Sequence, residues 1–165
     1  MRQGWRFIVL TVLLAGSCLA AEPPKAAGHR TLPAVQLSDS NGVAVNVAEL
    51  GLTGHWLLIY VQAKNPSTQM VMDELKSDQF RSYASQFVIV VGSMKTADLA
   101  EWTKQFPELS GARWLADPEH AAMRGLDLHG FPIQLGMRDN GVEWQLNGAG
   151  QGNEMFESTL LSWLK

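Results

Sequence analysis

The chain has 165 residues, 46% of them hydrophobic and 18% charged, with a formal net charge of −3. That is enough chain for one domain with a real core. Acidic and basic residues are scattered without a run of either sign, which argues against nucleic acid as a partner.

Residues 1–20 have the layout of a secretory signal. Arg2 and Arg6 make a short positive region, Phe7 to Ala15 form an apolar run, and small residues follow at Ala15, Gly16, Ser17 and Ala20. The run is too short for a membrane span, and no later segment approaches the roughly 20 apolar residues that one requires. Export from a bacterial cytoplasm is the expectation. Cys18 is the only cysteine. Two readings of it stay open: cleavage after Ala20, or lipidation of Cys18 within the loose lipobox Ala15-Gly16-Ser17-Cys18, which would tie the protein to a membrane. Either way the folded domain holds no thiol, so neither a disulfide nor a cysteine-based cycle is available to it. Arg2 and Arg6 are two of 13 basic residues, so without them 11 face 16 acidic ones, a net charge near −5.

Residues 21–31, with Pro23, Pro24 and Gly28, read as an extended tether, and 32–165 as the domain. Val35 to Leu37 and Val43 to Val47 are short strands joined by Ser40-Asn41-Gly42, an N-terminal hairpin. Trp56 to Val61 is a continuous apolar run, as in a strand buried on both faces. A helix starts near Pro66 and runs past Leu75 toward Tyr83. Phe87 to Val91 is a second central strand. Leu99, Trp102 and Phe106 mark a helix from Thr96 or Ala97 that Pro107 closes. Trp114 and Leu115 are extended, and Pro118 to Arg124 is a short helix with Asp117 as N-cap. Phe131 to Met137 and Val142 to Leu146 pair through Asp139-Asn140-Gly141, and Glu154 to Leu164 is an amphipathic helix. This order is α/β, a mixed central sheet flanked by helices.

Three segments carry a family resemblance: Leu32-Pro33 through Trp56-Leu57-Leu58-Ile59-Tyr60; Trp114-Leu115-Ala116-Asp117-Pro118; and Leu128-His129-Gly130-Phe131-Pro132 with Gln134-Leu135 and Asp139-Asn140-Gly141. In this order they resemble the thioredoxin-like superfamily, nearest its periplasmic thiol-disulfide and peroxiredoxin-related (AhpC/TSA-like) branch. The resemblance implies a Cys-x-x-Cys at the first helix start, its cysteines falling at Asn65 and Thr68 if one residue is missing from the preceding loop and at Pro66 and Gln69 otherwise. Asn65, Pro66, Ser67 and Thr68 stand there, and neither register holds a sulfur. It also implies a cis peptide before Pro132, beside the former active site, where the backbone would pair with an extended peptide of a partner.

The missing residues matter physically. A cysteine at a helix N-terminus is stabilised as a thiolate by the macrodipole and free amides; asparagine cannot attack a disulfide. Asn65 at N-cap with Pro66 at N1 is a favourable helix start in its own right. His129, three residues before Pro132, is a lone titratable group without an evident nucleophile. A triad of Ser67 with His129 and Asp73, Glu74 or Asp117 lacks a Gly-x-Ser-x-Gly elbow. Met70, Met72, Met94, Met123, His120 and His129 suggest copper, but Met70 and Met72 fall on different helix faces and read better as packing. His55, Lys64 and Lys95 are candidates to ring the mouth of the site and hold an anion at the helix start. Trp144 is a candidate partner contact.

The expectation is a redox-inactive domain with a degenerate active site. It would bind another envelope protein through Asn65, Pro66, Ser67, Thr68, His129, Phe131 and Pro132, with no cofactor and no metal. The alternative is an accessory to thiol-disulfide or copper handling, or a scaffold of a secretion or conjugation assembly.

Overall fold

The computed structural model describes residues 25–149 and 154–165. The secretory-signal segment and Cys18 lie outside them. The described strands form one mixed sheet: β1 (Lys25–Thr31), β2 (Gln36–Asp39), β3 (Ala44–Asn46), β4 (His55–Gln62), β5 (Phe87–Gly92), β6 (Arg113–Asp117), β7 (Ile133–Arg138) and β8 (Gly141–Asn147). Their order is β1-β8-β7-β4-β5-β6-β2-β3.

The two apolar runs sit at the centre, β4 parallel to β5 with Ile59 opposite Ile89, and β5 parallel to β6. Both steps go in the same direction across the sheet. Right-handed crossovers therefore put α1 (Pro66–Leu75) and α3 (Thr96–Thr103) on one face, where α5 (Glu154–Leu164) joins them. Alternation along the strands divides the core. Leu57, Ile59, Val61, Ile89 and Val91 pack with Val71, Leu75, Leu99, Phe156 and Leu160. Leu58, Tyr60, Val88 and Val90 pack on the opposite face with Leu37, Val47, Leu126 and Leu128. The N-terminal hairpin β2–β3 extends the sheet by pairing β2 antiparallel to β6.

Four expectations need correction. Instead of a free tether, Lys25–Thr31 is an edge strand on β8, and the Arg30 guanidinium fixes its end by donating to Leu126 O at 2.9 Å and Gln145 Oε1 at 2.8 Å. The helix expected toward Tyr83 stops at Leu75, since Ser77 is extended (ψ 153°). A separate turn, α2 (Asp78–Arg81), then carries Phe80 into the core against Phe87. The helix expected from Pro118 starts at α4 (Ala121–Gly125). Asp117 still caps it, from four residues upstream, by accepting from Ala121 N at 2.7 Å and Ala122 N at 3.0 Å. Trp144 is not a free contact surface. A Cβ on Gly136 would lie 2.0 Å from its ring, so the glycine makes room for the indole, which packs edge-on against Trp163.

Candidate functional site

The parallel strands β4, β5 and β6 all end at the same sheet edge, where α/β proteins place their ligands. The start of α1 lies here. The Asn65 side chain accepts from Ser67 N at 2.9 Å, Pro66 follows at the first helical position, and buried Thr68 turns its hydroxyl back to accept from Gln62 N at 3.2 Å. Pro66 is exposed and Ser67 half-buried. The Asn65 and Thr68 side-chain oxygens thus both serve to close the β4–α1 turn.

Phe131 and Pro132 enter β7 at the same edge, since Ile133 pairs with Tyr60. The Phe131–Pro132 peptide is cis. Pro132 is buried and its carbonyl accepts from Gly148 N at 2.8 Å. Phe131 is half-buried, with its ring stacked on Tyr60 at 5.6 Å. His129 stays on the rim: its side chain is 84% exposed and lies 3.2 Å from Asp127 Oδ1. His55 is at the opposite end of β4, stacked on Trp163 at 4.3 Å, so it does not ring this site. Lys64 and Lys95 are exposed. Among the described residues no group of three or more His, Cys, Asp or Glu side chains converges as a metal centre would require.

A group that sequence reasoning missed lies beside Phe131. Tyr60 is the penultimate residue of the apolar run of β4, and its hydroxyl donates to Asp117 Oδ2 at 2.7 Å. The same oxygen is 3.2 Å from His120 Nδ1, while His120 Nε2 is 2.6 Å from Ser93 Oγ. Asp117, only 1% exposed, organises the cluster. Besides its carboxylate bonds, its backbone carbonyl accepts from Ser93 N at 3.1 Å and His120 N at 3.3 Å. Both of these residues have left-handed backbone, φ +59° at Ser93 and +53° at His120. Gly92 is needed for the close approach, because a Cβ there would sit 3.0 Å from His120 Cε1 and from the Tyr60 ring. Burial, then the hydrogen bond to Asp117, push the Tyr60 hydroxyl far above its usual range, so its proton stays in place. A sequence signal did exist: each parallel strand runs apolar into a polar residue, Gln62, Ser93 and Asp117, at one edge.

Ser93 opens onto a groove of about 640 Å³ lined by Gln62, Lys64, Met94, Asp98 and Trp102. No family model and no curated protein sequence matches the chain. Solved structures do. A thiol:disulfide interchange protein DsbE from Chlorobium tepidum is 19% identical over 86% of this chain and 100% of that one, with a TM-score of 0.65. A secreted Mycobacterium tuberculosis disulfide oxidoreductase homologous to E. coli DsbE is 14% identical over 78% and 95%, with a TM-score of 0.62. Reduced Prx3 from Vibrio vulnificus is 18% identical over 82% and 99%, with a TM-score of 0.63. The chain has the thioredoxin-like fold, as the sequence resemblance implied.

Proposed function

We propose that this is an exported thioredoxin-like protein that has exchanged thiol chemistry for binding, and that it docks an extended segment of another envelope protein. The observation that carries this reading is the self-capped start of α1, where Asn65 and Thr68, one of the two places at which the sequence resemblance sets a thiol pair, each spend a side-chain oxygen on the turn. Beside it, half-buried Phe131 offers an apolar contact at the mouth of β4 and β7. Residues 1–20 act as the export signal, and the mass of the mature N-terminus distinguishes cleavage after Ala20 from lipidation of Cys18. The docking surface is tested by photo-crosslinking in cells from a probe at Phe131, with a matched probe at exposed Ser162 on α5. A discrete adduct from Phe131 alone supports docking at this edge. Equal adducts from both positions, or none, reject it.

A further inference from the structure

We infer that Ser93 is a nucleophile activated by His120, forming an acyl-transfer site for ester substrates that goes beyond the binding role proposed above. The proton arrangement follows from hydrogen-bond inventory. Both Asp117 carboxylate oxygens accept, from Ala121 N, Ala122 N and the Tyr60 hydroxyl. A tyrosine hydroxyl has one proton, and here it points at Asp117, so toward His120 the Tyr60 oxygen can only accept. His120 Nδ1 therefore carries the hydrogen. In the neutral ring Nε2 is then the lone-pair nitrogen, and at 2.6 Å it faces Ser93 Oγ, which must be the donor. This is the arrangement by which a histidine serves as base to a serine, with a third group holding its tautomer. Tyr60 and Asp117 are the positioning residues.

The backbone agrees with this role. Ser93 lies between β5 and α3 with φ +59°, on a sharp strand-to-helix turn like those that expose hydrolase serines. Left-handed backbone is disfavoured for a non-glycine residue. Gly92, immediately before it, gives His120 and Tyr60 their room. No partner among the described residues is recorded for the amides of Met94 and Lys95, and the first turn of α3 has no side-chain cap. The Met94 amide follows Ser93 directly in the chain, the position that supplies one oxyanion donor after a hydrolase serine. The groove beside Ser93 supplies room for the acyl group.

In the step, Ser93 Oγ attacks the ester carbonyl carbon as its proton passes to His120 Nε2. The carbon–oxygen bond to the alcohol then breaks, and that alcohol takes the proton from His120. Water, deprotonated by the same nitrogen, releases the acid and restores the serine.

The test treats the purified protein with a fluorophosphonate, in which the Ser93 Oγ–P bond replaces P–F, and maps the adduct by mass spectrometry. Modification at the Ser93 peptide is expected, abolished in Ser93→Ala and slowed on the order of 100-fold in His120→Gln. Because Ser93 is exposed, its replacement leaves the fold intact. In ¹⁵N spectra of the histidine rings, His120 should show the Nδ1–H tautomer, and Tyr60→Phe should abolish that preference while slowing modification. No adduct at Ser93 in the folded protein, labelling confined to other serines, or equal rates with and without His120 would overturn the inference. Loss of docking at Phe131 with labelling intact would reject only the binding role.

Discussion

The start of α1 and the Ser93–His120 cluster occupy one sheet edge, yet they treat their polar groups in opposite ways. At Asn65–Thr68 each side-chain bond is local, spanning two residues from Asn65 to Ser67 and six from Gln62 to Thr68, and it ends in the backbone. In the cluster the bonds span 27 residues from Ser93 to His120 and 57 from Tyr60 to Asp117, and they end in side chains. A helix cap engages its polar groups locally and leaves no activated group for covalent chemistry. A directed chain of side chains that surfaces at an exposed serine leaves one reactive group facing solvent. In this chain the place where thioredoxin-like chemistry would be sought is closed, and its neighbour is open.

The strongest way to break this contrast is Asp117→Ala. It orphans the Tyr60 hydroxyl and two α4 amides in a buried site, and hydrogen bonds to a charged group contribute about 1.5–3 kcal/mol each before relaxation. A loss of roughly 3 kcal/mol or more is expected in urea unfolding, together with the His120 tautomer. A loss under about 1 kcal/mol would show that Asp117 is not the organiser. Gly92→Ala comes next. Its new Cβ presses on His120 and Tyr60 from 3.0 Å, so an overpacking cost of about 1–3 kcal/mol is expected, with faster unfolding and displaced histidine resonances. Unchanged resonances would mean the ring has space to spare.

Asn65→Ala sharpens the other side of the comparison. Loss of the cap should cost about 1 kcal/mol and leave fluorophosphonate labelling of Ser93 unaltered. Altered labelling would mean the two regions are coupled. The smallest effect belongs to Glu74, at the far end of α1, whose carboxyl is raised first by burial and then by Glu157. A folded-state value above the unfolded one gives stability that is present at low pH and lost as pH rises through the folded value. Glu74→Gln should therefore be more stable than the parent at neutral pH, with the advantage fading as pH falls through the raised folded value and gone below pH 4.5. An advantage that persists in acid would point to packing instead of charge.

Much of this protein was legible before its structure. The runs Trp56–Val61 and Phe87–Val91 announce central strands because each residue on them is buried, whichever face it points to. Asn41-Gly42 announces its turn because Gly42 supplies the required φ of +81°, while Asp39 accepts from Asn41 N and Val43 N. Asn65-Pro66 announces a helix start by local hydrogen bonding alone. Each of these signals is short-range, and each is decided by residues a few positions apart.

What only the tertiary structure decided is long-range. Strand Lys25–Thr31 depends on β8, more than a hundred residues away, and on Arg30 reaching Gln145. Which histidine matters was also undecidable locally. His129 sits nearer Pro132 in sequence but faces solvent beside Asp127, whereas His120 is held by the Asp117 carbonyl and the Tyr60 hydroxyl. The chain shows Gln62, Ser93 and Asp117 each following an apolar run, but only the parallel pairing of β4, β5 and β6 brings those three strand ends together. Sequence determines which segments are strand, helix and turn, because burial periodicity and capping act within a few residues. The site is determined by register and crossover handedness, because only these place side chains from distant segments within hydrogen-bond reach.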